Sequence, residues 1–131
     1  MDELPIQSGD DVVRVRQQVR TAAAGNGLSL VDQTKLVTAA SELARNTLIH
    51  GGGGAARIEV IKSPAGRVGV KLSFSDEGPG IPDIELALTD GWTSGNGLGL
   101  GLSGARRLVD EFELNSKPGE GTRVVIVKWS R

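Results

Sequence analysis

Between Gly95 and Gly104 the chain reads Gly-Asn-Gly-Leu-Gly-Leu-Gly-Leu-Ser-Gly, five glycines in ten residues, and it leads straight into a helical stripe of Leu102, Ala105, Leu108, Val109 and Phe112. Glycine loses more backbone freedom on ordering than any other residue, so a run like this needs a reason beyond regular structure. Backbone amides exposed in front of a helix N-terminus cradle phosphate without any side chain, and that is the reason the pattern suggests. Gly99 to Gly104 also matches G-x-G-x-x-G, but a dinucleotide fold needs a strand just before the glycines, and Asp90-Gly91-Trp92-Thr93-Ser94 is polar loop. A P-loop would need G-x-x-x-x-G-K-[ST], which does not occur. The catalytic-loop and D-F-G strings of two-lobed protein kinases are also missing, and 131 residues are too few to hold that fold.

The rest of the chain supplies one domain, 1–131, around that loop. Ser8-Gly9-Asp10 opens a helix whose Val12, Val13, Val15, Val19, Ala22 and Ala23 recur at helical spacing until Gly25-Asn26-Gly27. Ser29 with Asp32 three residues on is a variant capping box, starting a helix that carries Leu36, Val37, Ala40, Leu43, Ala44 and Leu48 to about Ile49. Arg57 to Lys62 and Arg67 to Ser75 flank Ser63-Pro64-Ala65-Gly66 as a hairpin with one buried face. A helix over Leu102 to Phe112 and a last strand from Gly121-Thr122 to Trp129 follow. Helices first, then strands with a helix between, predict an α+β two-layer sandwich: a mixed, mostly antiparallel sheet with helices on one face.

Composition narrows the chemistry. Fifteen basic against 16 acidic residues leave no field to gather nucleic acid or an anionic membrane surface. The absence of cysteine removes disulfides and thiol catalysis, and a single histidine argues against a His-cluster metal site. The start, MDELPIQSGDD, is acidic without an apolar core, and no run approaches the roughly 18 apolar residues of a membrane span. The expectation is a soluble cytoplasmic protein.

Two further clusters carry chemistry. Glu42 and Asn46 stand four apart in SELARN and project from the same side of a helix. A carboxylate can accept a proton from a nucleophile, and an amide oxygen is a hard ligand for Mg²⁺ beside phosphates; an arbitrary E-x-x-x-N is more often a solvated helix face. Asp76-Glu77-Gly78-Pro79-Gly80 closes a predicted strand. Aspartate there can accept a hydrogen bond from the exocyclic amine of a base, and glycines let backbone approach the ring, while D-x-G-P-G alone is also plain turn chemistry.

The order decides what single motifs do not. E-x-x-x-N on a helix, D-x-G-x-G at a strand end, G-x-G-x-G before a helix and Gly121-Thr122 opening a strand resemble, over essentially the entire chain, the Bergerat-fold (GHKL) ATP-binding module of gyrase-type topoisomerases, Hsp90 chaperones, histidine kinases and MutL. Among the small free-standing forms, the anti-sigma-factor serine kinases, the strings SELARN, DEGPGI-x-DI, DGWTSG-x-GLGLGL, ARRLVDEFELNS, GEGT and the terminal KW are most similar to the RsbT-like serine/threonine-protein kinases of the stressosome. The resemblance implies ATP and Mg²⁺ as cofactors. Asn46 would coordinate the metal between phosphates, Glu42 would act as base or orienter for the attacking hydroxyl, and Asp76 would read the adenine amine. Gly78 and Gly80 would approach the base, Gly97, Gly99 and Gly101 would wrap the phosphates, and Thr122 would complete the adenine end. The implied partners are STAS-domain proteins of the RsbS and RsbR kind and a downstream effector such as an RsbU-like phosphatase.

Some residues stay open between two roles. His50, four after Asn46, either lines the phosphate end or ends the helix. Arg106 and Arg107, like Arg45, either reach the γ-phosphate or an acidic partner, or form a solvated face. Trp92 fits a packing anchor, Trp129 a core-closing side chain, and Gly51 to Gly54 form an unusually flexible connection after Asn46. An anti-sigma factor of the RsbW or SpoIIAB kind shares every nucleotide motif and is the competing expectation; a histidine-kinase fragment would need a preceding phosphoacceptor helix pair.

Overall fold

Ser8 and Ser29 start the two long helices. The computed structural model describes residues 3–80 and 101–131. Ser8 Oγ accepts the Asp11 amide at 3.3 Å to open α1 (Gly9–Gly25), whose first-turn Asp10 and Asp11 suit the positive end of the helix dipole. Ser29 Oγ accepts the Asp32 amide at 3.1 Å to open α2 (Leu30–Ile49). The returning half of the expected capping box is replaced: the Asp32 carboxylate turns to Lys128 and Arg131 instead. Between the helices Asn26 donates from its amide to Ala23 O and from Nδ2 to Ala22 O, and Gly27 takes the left-handed φ of 85° that makes the reversal.

Behind the helices lie β1 (Glu3–Ile6), β2 (Gly54–Lys62), β3 (Val68–Asp76), β4 (Glu111–Ser116) and β5 (Thr122–Trp129), in the order β1-β2-β3-β5-β4. Every pairing is antiparallel, so the sheet is not mixed among the described residues. α3 (Gly101–Leu108) packs beside α2. The inner face sets Ala56 and Ile58, Val70, Leu72 and Phe74, and Val124 and Ile126 against Val15 and Val19 of α1, Leu36 and Leu43 of α2, and Leu102 and Ala105 of α3. Each fully buried Val, Leu, Ile or Phe among them contributes roughly 1.5–3 kcal/mol of transfer free energy.

Two expectations are corrected and one strand is added. Phe112 does not extend the last helix: α3 ends at Leu108, and Phe112 and Leu114 alternate with exposed Glu111, Glu113 and Asn115 along β4. The stripe from Leu102 has helical period, but from Glu111 the period is two, and Asp110 N donates to Val127 O at 3.0 Å to start the ladder. β1 was not anticipated; its four residues contain Pro5, tolerable on an edge strand, and it buries Ile6 completely. Trp129 does not close the helix-facing core. The register sets it opposite Gly69 on the other face, where its ring covers the space a Gly69 Cβ would take and its Nε1 donates to Glu111 at 2.6 Å.

At the sheet end away from Asp76, Lys128 is 4% exposed with its Nζ 3.6 Å from Asp32 and 3.5 Å from Asp110. Arg131 joins both acids, and Asp110 Oδ2 accepts the Trp129 amide at 2.8 Å. Burial alone would raise the Asp110 carboxyl, but the Trp129 N–H and the charges of Lys128 and Arg131 together hold it below the ordinary range. A depressed folded value adds stability that is complete above the unfolded pKa of about 3.9 and is lost as pH falls through the folded value. Wild type should therefore melt above Asp110→Asn at neutral pH, with the gap closing below pH of about 3.9; a gap independent of pH in melting curves would contradict the ion-pair account.

Candidate nucleotide site

The site is assembled where the C-terminal end of α2 meets the ends of β3 and β5. Glu42 and Asn46 are both half-buried on α2, with Arg45 exposed between them. The helix closes on Asn46, whose carbonyl accepts the amides of His50 at 2.9 Å and Gly51 at 3.1 Å. His50 is thereby the helix C-cap, and its side chain is exposed.

Asp76 ends β3 between Gly54 of β2 and Thr122 of β5 in the ladder. Its Oδ1 accepts the Gly78 amide at 2.9 Å, which fixes one carboxylate oxygen. Thr122 Oγ1 lies 2.8 Å from Ser116 Oγ, so a pair of hydroxyls from β4 and β5 borders the same end. The glycines here are required by the chain itself. A Cβ on Gly78 would come within 2.7 Å of Gly51 Cα, and Gly80, at φ 76°, lies against the carbonyl of Lys117. The Asp76–Gly80 turn is in turn tied to the β4–β5 connection by Gly119 N donating to Pro79 O at 2.7 Å.

Asp76, Gly78, Gly80, Thr122 and the Asn46 end of α2 thus come together. Gly101 lies in α3, one residue before Leu102, where the sequence reading starts the helix. Gly97, Gly99 and Trp92 lie outside the described residues. Arg106 and Arg107 are exposed in the last turn of α3. Sequence reasoning missed Gly51 and Ser116: neither motif nor spacing marks a residue that stands beside Asp76 or Thr122 only in the folded chain.

On the outer side of the helices, Arg16 and Arg20 of α1 face Thr34, Thr38, Ser41 and Glu42 of α2 across an open groove of about 270 Å³. Glu42 therefore borders a basic, hydroxyl-lined channel. Among the described residues no group of three His, Asp or Glu side chains could hold a metal unaided, and no helix is long and apolar enough to cross a membrane. The donor set suits Mg²⁺ held by one amide oxygen with phosphates supplying most ligands.

Comparison with known proteins identifies the family and the fold. Residues 31–130 match the family described as histidine kinase-, DNA gyrase B-, and HSP90-like ATPase. The serine/threonine-protein kinase RsbT of Bacillus subtilis (strain 168) is 46% identical over 121 residues, 92% of this chain and 90% of that protein. The anti-sigma F factor of Thermoanaerobacter sp. (strain X514) is 32% identical over 117 residues, 87% of this chain and 82% of that one. Among solved structures, the RsbU and RsbW domains of a Mycobacterium tuberculosis protein superpose with a TM-score of 0.64 at 23% identity, covering 100% of this chain and 33% of that chain. The mycobacterial sensor histidine kinase MprB gives 0.60 at 20% identity over 99% of this chain and 97% of that chain.

Proposed function

This chain belongs to the histidine kinase-, DNA gyrase B- and HSP90-like ATPase family, and from that premise we propose that it is a stress-signalling serine/threonine-protein kinase that phosphorylates STAS-domain stressosome proteins with Mg²⁺-ATP. Once released, it binds and activates a downstream effector such as an RsbU-like phosphatase. The observation that carries the reading is the meeting of the Asn46 end of α2 with Asp76 and Thr122 in a chain 46% identical to a named kinase of this kind.

Each residue has a task its chemistry supports. Asp76 Oδ1 is held by the Gly78 amide, which leaves Oδ2 to accept the exocyclic amine of adenine. Guanine presents a carbonyl there, so the carboxylate selects ATP over GTP. Thr122 and Ser116 offer hydroxyls beside it. Asn46 would hold Mg²⁺ through its amide oxygen, together with the phosphates; when bound, the ion neutralises charge on the transferring phosphoryl group. Gly97, Gly99 and Gly101 would meet the phosphates through backbone amides. Glu42 takes the proton of the partner's hydroxyl as its oxygen bonds to the γ-phosphorus and ADP departs with the bridging oxygen. The partner enters along the groove, where Arg16 and Arg20 attract acidic residues near the acceptor. The phosphate left on the partner adds about two negative charges at the interface and loosens the complex.

The anti-sigma reading rests on the 32% relative and predicts sigma-factor capture with ATP needed only for binding. Incubation with γ-labelled ATP and a STAS-domain protein, run beside capture on an immobilised sigma factor, separates the two. Acid-stable label on a serine or threonine of the partner is expected. Arg16→Glu with Arg20→Glu should raise KM for the partner at least about tenfold without changing ATP affinity. A partner left unlabelled while a sigma factor is retained would favour the anti-sigma reading.

A further inference from the structure

We infer that Gly51, the first residue beyond α2 and its His50 cap, is a positioning residue of the adenine site that aims the Asp76 carboxylate and so helps select a purine bearing an amine. The inference rests on the reading that Asp76 accepts that amine.

Gly51 does not need to be glycine for its backbone: its φ is not in the left-handed region, unlike that of Gly52 at 74° and Gly53 at 105°. What it needs is space. A Cβ built there would lie 2.5 Å from both Cβ and Oδ2 of Asp76, and closer still to Cγ. Rotating the aspartate cannot relieve this, since Cβ does not move with χ1, so the end of β3 or the connection itself would have to shift. A Cβ built on Gly52, by contrast, would meet nothing within 4 Å beyond its chain neighbours. Gly51 is bounded on its other side as well, because a Cβ on Gly78 would come within 2.7 Å of Gly51 Cα and O. Gly78 is the residue whose amide holds Asp76 Oδ1. The carboxylate is therefore fixed on one oxygen by a hydrogen bond and walled at the other by bare backbone, and the two glycines that do this touch each other. Gly51 N also donates to Asn46 O at 3.1 Å, so the same residue ties the adenine carboxylate to the helix turn carrying the proposed metal ligand.

The test compares two ligands on the full chain: ATP and purine riboside triphosphate, which lacks the amine. Gly51→Ala should weaken ATP by about ten- to a hundredfold, the worth of a hydrogen bond to a charged group, while the analogue binds as to wild type. Asp76→Asn run in parallel should discriminate the same way. Unchanged ATP affinity in Gly51→Ala, or equal loss of both ligands, overturns the inference while leaving the role of Asp76 intact if Asp76→Asn discriminates. If Asp76→Asn treats the ligands alike, the adenine reading itself fails. Wild-type protein supplies a second measurement that does not depend on the variant folding: the Gly51 and Gly78 amide resonances should move further with ATP than with the analogue, and equal movement contradicts the proposal.

Discussion

Glu42→Ala is expected to keep Mg²⁺-ATP bound and to slow transfer to a STAS-domain substrate by about 10² to 10⁴-fold, the usual worth of a positioned general base. The separation follows from where the side chain sits. Glu42 is one turn before Asn46 on α2 and borders the groove shared with Arg16 and Arg20, whereas the adenine end is built from Asp76 and Thr122. Alanine favours helix and Glu42 is only half-buried, so α2 should persist. Single-turnover transfer and nucleotide titration on the same preparation read the two effects separately. A rate within about threefold of wild type would remove Glu42 from the role of base.

Asp76→Asn should cost the most in binding. The asparagine amide can still meet the Gly78 N–H with its oxygen, and then it turns NH₂ toward the adenine amine, donor against donor. A hydrogen bond to a charged acceptor is exchanged for a repulsive contact, so ATP affinity should fall at least about a hundredfold by calorimetry. Because the side chain lies at the strand end and the ladder partners of Asp76 are backbone, the melting temperature should change little. Retained affinity would exclude the carboxylate from adenine recognition.

How far the sequence could be read depended on whether the signal was local. Ser8, Ser29 and the Gly25-Asn26-Gly27 stop are local capping chemistry, and both long helices begin and end close to where those residues set them. The hairpin was legible for the same reason, although β2 starts at Gly54 rather than Arg57, because glycine carries no strand propensity of its own. β1 and β4 were not legible. Four residues containing Pro5 are too few to alternate, and Phe112 satisfies helical and strand periods at once until the Asp110 contacts break the helix. The ion cluster of Asp32, Asp110, Lys128 and Arg131 is non-local, joining residues nearly a hundred positions apart, and no spacing rule marks it.

At the site the limit was of the same kind. Asp76, Gly78, Gly80 and Thr122 were named from order along the chain, and the fold brings those positions together. Gly78 and Gly80 were expected to open space for a ring; in the folded chain their nearest neighbours are Gly51 and Lys117, so close backbone packing demands them first. The four glycines after His50, read as mere flexibility, divide into distinct requirements: Gly51 by contact with Asp76, Gly52 and Gly53 by their φ, and Gly54 by contact with Ser75 and Thr47.

A crystal structure with a non-hydrolysable ATP analogue and Mg²⁺ tests the central claim most directly. The account predicts the adenine amine within hydrogen-bonding distance of Asp76 Oδ2 and the metal on the Asn46 amide oxygen. Nucleotide bound elsewhere, or a purine whose amine faces away from Asp76, would contradict it.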